Sequence, residues 1–192
     1  MIYRFLFMGY PKDGQTVTLK KDIPCYAALS RQNDKVFLYV ESNTETVCPE
    51  NLVCGEMKPY PNGKQWERGI DIFHYSVPMN EEQWRRKFPK EPSVRVNRLK
   101  PEKTSSYIYY HYQYQEEYPG DGDKYGVIYL LGDLMVFYME TPEEPETVKT
   151  VGLLTSKNSP LDVWQELMTE HFADQWRPIE NLEWNDYIAF NT

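Results

Sequence analysis

Tyr125-Gly126-Val127-Ile128-Tyr129-Leu130-Leu131-Gly132-Asp133-Leu134-Met135-Val136-Phe137-Tyr138-Met139-Glu140 is the stretch whose reading decides the fold class. Two apolar runs are separated by Gly132 and Asp133 alone, the length and composition of a two-residue hairpin turn. That spacer sets the register. Leu131 faces Leu134, Leu130 faces Met135, Tyr129 faces Val136, Ile128 faces Phe137, Val127 faces Tyr138 and Gly126 faces Met139. Strand side chains alternate between faces, so Ile128, Leu130, Met135, Phe137 and Met139 share one wholly apolar side, the predicted core face. The other side carries Val127, Leu131, Leu134 and Val136 together with the phenols of Tyr125, Tyr129 and Tyr138. It is either covered by a helix or lines a cleft, which makes the three tyrosines candidate ligand contacts.

Working outward, Ser106–Glu117 reads as an aromatic strand by composition and, with the hairpin, as a three-stranded meander over residues 106–140. Downstream, Ser159 caps, Pro160 sits in the first turn, and Val163, Trp164, Leu167, Met168, His171 and Phe172 recur at helical spacing, predicting an amphipathic helix over about 160–173. Residues 181–191 read as a final strand or docked tail. Upstream, short strands punctuated by Asp13-Gly14 and Asn62-Gly63 turns suggest an antiparallel meander over the first seventy-five residues. The proline-rich basic segment 77–103 reads as a connection carrying one short helix over about 81–88, with Asn80 as cap, Gln83 completing a capping box and Pro89 as stop. The expectation is an α+β, β-dominated chain with a largely antiparallel sheet, forming one domain over residues 1–192 with halves at 1–76 and 104–192. No internal repeat is legible.

The chain has 192 residues, 41% apolar, 15% aromatic and 26% charged, with a net charge of -8, and no apolar run approaches the ~20 residues needed to span a bilayer. Length and composition describe a globular chain with a core of its own, and collagen-like and low-complexity classes drop out. Met1–Tyr10 contains Arg4 and lacks a small-residue cleavage site, so no signal peptide is expected. Three cysteines, Cys25, Cys48 and Cys54, do not make a disulfide framework and fit a reducing, cytoplasmic setting. Charge is uneven: residues 1–79 sum to zero, 80–103 to +4 and 104–192 to -12. Such an acidic half repels phosphate backbones, excluding nucleic acid as a partner, and attracts a basic protein.

Cys48 and Cys54 are spaced too widely for a structural zinc pair and lack partner ligands, and the Asp121/Asp123 loop does not match a calcium loop, so no metal or cofactor is expected. There is no Gly-x-Ser-x-Gly elbow and no phosphate-cradling glycine loop. His171, on the apolar side of the predicted long helix, reads as packed, and His74 has no pattern that promotes it. His111 lies mid-strand on the reading above, with Tyr109 and Gln113 on the same face, where a titratable group could meet a substrate. The leading expectation is a non-catalytic cytoplasmic binding protein whose Tyr-rich sheet face or acidic C-terminal half engages a partner, either a basic protein or a small polar ligand. The alternative is a small enzyme with His111 as acid-base. Ligand contacts on these readings are Tyr109, His111, Gln113, Tyr125, Tyr129 and Tyr138. Oligomeric state is not legible.

Overall fold

The computed structural model describes residues 1–146, 152 and 163–185. Its main elements, in chain order, are β1 Tyr3–Pro11, β2 Tyr26–Gln32, β3 Lys35–Ser42, β4 Trp66–Arg68, β5 Ile70–His74, α1 Glu81–Trp84, β6 Glu91–Arg98, α2 Thr104–Glu117, β7 Val127–Leu131, β8 Leu134–Thr141, α3 Trp164–Thr169, β9 Arg177–Pro178 and β10 Glu180–Trp184. The chain is α+β and strand-rich, with antiparallel sheets. It divides into two compact units. The first holds Met1–Gly69, Pro78–Val94 and the C-terminal segment from Ile179; the second holds Ile70–Val77 and Arg95–Pro178.

The first unit's sheet runs β10-β2-β3-β1, with β4 and a short strand, Met57–Lys58, also paired to β1. The inward faces of β1, β2 and β3 supply Phe5, Phe7, Leu29, Leu38 and Val40, which pack with Leu52, Val53, Met57 and Trp66. Burying side chains of this size is the main favourable term holding such a sheet together. The second unit's sheet runs β9-β6-β8-β7-β5. One of its faces joins α2 and α3 in a core of Phe73, Leu99, Tyr107, Ile128, Leu130, Met135 and Met168.

The two sheets repeat one plan. The order β4-β1-β3-β2-β10 in the first corresponds, strand for strand, to β9-β6-β8-β7-β5 in the second. The hairpins share their register: Ala28 faces Tyr39 as Val127 faces Tyr138. Both turns carry a left-handed residue at the same place, Asn33 with φ 55 and Gly132 with φ 62. Glu67 lies opposite Met8 as Arg177 lies opposite Val96. The edge strands match as well. Asp71 faces Tyr129 and Phe73 faces Ile128, with the register slipping across Ile72; Asn181 faces Ser30 and Glu183 faces Leu29, with the slip across Leu182. The last strand of each repeat completes the other unit's sheet, because β5 follows β4 and β10 follows β9 after a single intervening residue, Gly69 or Ile179. This duplication corrects the expectation of no repeat. It was hidden because only four of the seventeen hairpin positions are identical, Tyr26/Tyr125, Asp34/Asp133, Tyr39/Tyr138 and Glu41/Glu140.

The hairpin at Gly132-Asp133 has the expected register, with the pairs from Val127/Tyr138 to Leu131/Leu134. Other expectations are corrected. Residues 106–117 are helical, so the strands flanking this hairpin are β5 and β6 and the expected 106–140 meander is absent. Tyrosine's strand preference was overridden because Tyr107, Tyr110, His111 and Tyr114 recur at three- and four-residue steps, placing these rings on one helical face toward the core. The long C-terminal helix is not found: α3 covers only Trp164–Thr169, and residues 160–162 of the expected helix lie outside the described residues. Of the expected 181–191 strand, β10 ends at Trp184, and 186–191 lie outside the described residues. The short helix is capped by Asn80, whose Oδ1 accepts from Gln83 N at 2.8 Å, while Gln83 Oε1 accepts from Met79 N at 2.9 Å. It stops at Trp84, since Arg85 is already extended. The segment read as a connection contains β6, whose Arg95 and Arg98 masked the strand alternation.

Candidate ligand-binding pocket

Helix α2 aims Tyr107 and His111, four residues apart, into the second unit's core, and their ring centroids lie 4.0 Å apart. His111 is only 4% exposed. Its Nδ1 sits 2.9 Å from the Tyr107 carbonyl, which can only accept, so Nδ1 donates. Desolvation pushes the imidazole pKa down to about 4; the bond to the Tyr107 carbonyl opposes that shift and the nearby His171 adds to it. The ring is therefore neutral at ordinary pH. Trp164, opening α3, meets it edge-on at 4.8 Å. Beyond α3, Phe172 and Trp176 lie 5.9 Å apart, and Trp176 is 6.0 Å from Phe137 on β8.

These rings surround a cavity of about 160 Å³, lined also by Met168, Gln165 and Arg95. Phe137, Trp164, Phe172 and Trp176 are half-exposed and form its rim, while Tyr107 and His111 close its floor. The Arg95 guanidinium stands 5.1 Å from the centre of the Phe137 ring and its Nη2 donates to Met139 Sδ at 3.3 Å. Its Nε is sealed from solvent without a hydrogen-bond partner, and no carboxylate pairs with the side chain among the described residues.

The duplication supplies an internal comparison. Matching β6 to β1 through their pairing with β9 and β4 puts Arg95 in the place of Phe7, and the hairpin and Trp registers put Ile128, Phe137 and Trp176 in the places of Leu29, Leu38 and Trp66. All four first-unit residues belong to one packed apolar cluster. Where the first unit places the buried Phe7, the second unit places an arginine that lines a cavity. A depression of about 440 Å³ in the first unit is lined by Lys64, Glu67 and Arg68, all exposed, where water competes for every charge.

Of the residues singled out in sequence, His111 is the one that reaches this pocket. Tyr109 and Gln113 lie on the opposite side of α2, Tyr109 being exposed and Gln113 donating to Glu117 Oε1 at 2.9 Å, so they do not converge with His111. Tyr125, Tyr129 and Tyr138 are fully buried rather than open to solvent, and the Tyr138 hydroxyl donates to Glu140 Oε1 at 2.8 Å. Sequence reasoning passed over Arg95 and Trp176. Their signals were present: a lone arginine between Val94 and Val96, and a Gln-Trp pair at 175–176 that repeats 65–66.

The thiol of Cys25 is buried and burial, helped by Glu41, pushes its pKa up to about 11; Cys48 donates to Glu50 Oε2 at 3.0 Å. No three His, Cys, Asp or Glu side chains gather in a metal-holding group among the described residues, and no helix there is long and apolar enough to cross a membrane. Compared with protein-family models, curated proteins and solved structures, the chain matches none.

Proposed function

We propose that the chain is a non-catalytic binding protein, and that the second unit's aromatic pocket receives a small ligand carrying a polar group. The observation that carries this is Arg95. An arginine against apolar rings costs desolvation that a fold can avoid, and the equivalent Phe7 is how the first unit avoids it. A bound polar group would give the Arg95 guanidinium, which has no carboxylate partner among the described residues, a counter-charge from the cavity it lines. His111 favours binding over proton transfer, because a general base works best with a pKa near the working pH and this ring is held at about 4. The three free cysteines fit the reducing cytoplasm proposed for it. The test follows the fluorescence of the pocket tryptophans and the unfolding midpoint during titration with small polar aromatic compounds. A ligand at a hundred times its Kd should stabilise the fold by about 2.7 kcal/mol. Catalysis through His111 would instead show as turnover falling roughly 10²–10⁴-fold in His111→Ala.

A second reading, engagement of a basic protein partner, is favoured by one observation. Tyr109 and Tyr112 on α2 are 61% and 53% exposed. They lie on one helical stripe with Glu116, in the half of the chain carrying -12, a surface suited to arginine side chains stacked on phenol faces. Its test is the salt dependence of association with a cationic peptide. The on-rate should fall steeply as ionic strength rises and be reduced in Tyr109→Ala/Tyr112→Ala.

A further inference from the structure

We infer that the pocket's ligand is an aromatic carboxylate of about one ring, with the ring among Phe137, Trp164 and Trp176 and the carboxylate on Arg95. This rests on the binding reading above and specifies its chemistry. Size comes first. A half-open cavity of about 160 Å³ is close to the roughly 150 Å³ that accepts a benzene-sized ring and is too small to enclose a nucleotide or a disaccharide. The walls come next: Phe137, Phe172 and Trp176 pack on one another at 5.9–6.0 Å and Trp164 on His111 at 4.8 Å, which gives the cavity an aromatic lining suited to an aromatic guest. Charge decides the rest. Among the described residues Arg95 is the only formally charged side chain lining the cavity, since His111 is neutral and Gln165 uncharged. A guanidinium matches a planar carboxylate by paired N–H donors, and here it stands 5.1 Å from the centre of the Phe137 ring, which holds it at the aromatic wall. The other lining residues, from Tyr107 to Trp176, belong to the stretch carrying -12, which repels anions in general, so one that binds must do so through Arg95, which belongs to the basic stretch before it. The same chemistry is offered by a free aromatic acid and by the C-terminal phenylalanine of a peptide.

The experiment is calorimetric titration of the full chain with benzoate, benzamide and acetate, repeated with Arg95→Met. The expected result is benzoate binding at least tenfold tighter than benzamide or acetate, with that preference abolished in Arg95→Met while the thermal unfolding midpoint stays within a few degrees. Equal binding of benzoate and benzamide, unchanged in Arg95→Met, overturns the carboxylate assignment and leaves the pocket as an apolar binding site. Binding of neither, with unaltered tryptophan fluorescence, overturns the pocket reading as well. Should Arg95→Met fail to fold, the comparison of benzoate with benzamide on the unaltered chain decides alone. A short peptide ending in phenylalanine, with a free or amidated C-terminus, separates the sources. Displacement of benzoate by the free-acid peptide alone assigns the site to peptide C-termini, and no displacement assigns it to the free acid.

Discussion

Tyr39 and Tyr138, 99 positions apart, occupy the same place in two hairpins, and each donates its phenol to the glutamate two residues on at 2.8 Å. Glu41 and Glu140 are both wholly buried. In the first unit Glu41 also accepts from Arg86 Nη1 at 3.0 Å, and the Arg86 guanidinium lies 3.7 Å from the Tyr26 ring centre. A hydrogen bond to a charged group contributes about 1.5–3 kcal/mol. Tyr39→Phe and Tyr138→Phe should therefore each lower the unfolding free energy by about that amount in urea titration. A loss below about 0.5 kcal/mol at either position would show that its phenol does not matter to the buried carboxylate.

His111 makes stability depend on acidity. Its pKa is about 4 in the fold against an ordinary value of 6.5, so the unfolded chain takes up a proton first as pH falls. The stability this neutral ring contributes is complete above pH 6.5 and is lost progressively down to about pH 4, roughly 3 kcal/mol in all. His111→Phe, with no proton to bind, should flatten that part of the stability–pH curve. An unchanged slope between pH 6.5 and 4 would place the acid sensitivity elsewhere.

The edge strand β10 is fastened by side chains as well as by backbone pairing. Asn185 Oδ1 accepts from Ala27 N and its Nδ2 donates to Cys25 O, both at 2.8 Å, while Glu183 Oε2 accepts from Leu19 N at 2.7 Å. Asn185→Ala leaves a peptide donor and an acceptor without those partners and should cost about 1–3 kcal/mol. Hydrogen exchange at the Ala27 amide should rise in the same variant; protection equal to the parent would mean that water replaces the asparagine.

Gly126 has a steric duty. A Cβ there would lie 2.5 Å from Tyr75 Cδ2, and one on Gly122, at φ +130, would lie 2.7 Å from Cδ1 of the same ring. Gly126→Ala should destabilise by about 1–3 kcal/mol through overpacking. Tyr75→Leu, which removes the ring, should restore part of that loss in a double variant. Additive losses would sever the link between the two positions.

The hairpin register and the cap of α1 could be read from the sequence because both are local: a two-residue Gly-Asp spacer leaves one pairing in register, and Asn80 reaches an amide three residues away. The alternation around that spacer also placed Ile128, Leu130 and Met135 on the core face, as the second unit's cluster has them. Tertiary structure decided what local pattern left ambiguous. Whether residues 106–117 became strand or helix depended on which partners covered them, and the rings of Tyr107, His111 and Tyr114 found a core at helical spacing. Pairings such as Glu180 with Arg31 join distant parts of the chain and reward no residue until the loop between them has closed. The pocket is of that kind: Arg95, Phe137, Trp164 and Trp176 come from β6, β8, α3 and the segment after it. Side-chain alternation tells how each would face within its own element, whereas the cavity among them exists only where separate elements pack, and no short stretch of sequence records that geometry.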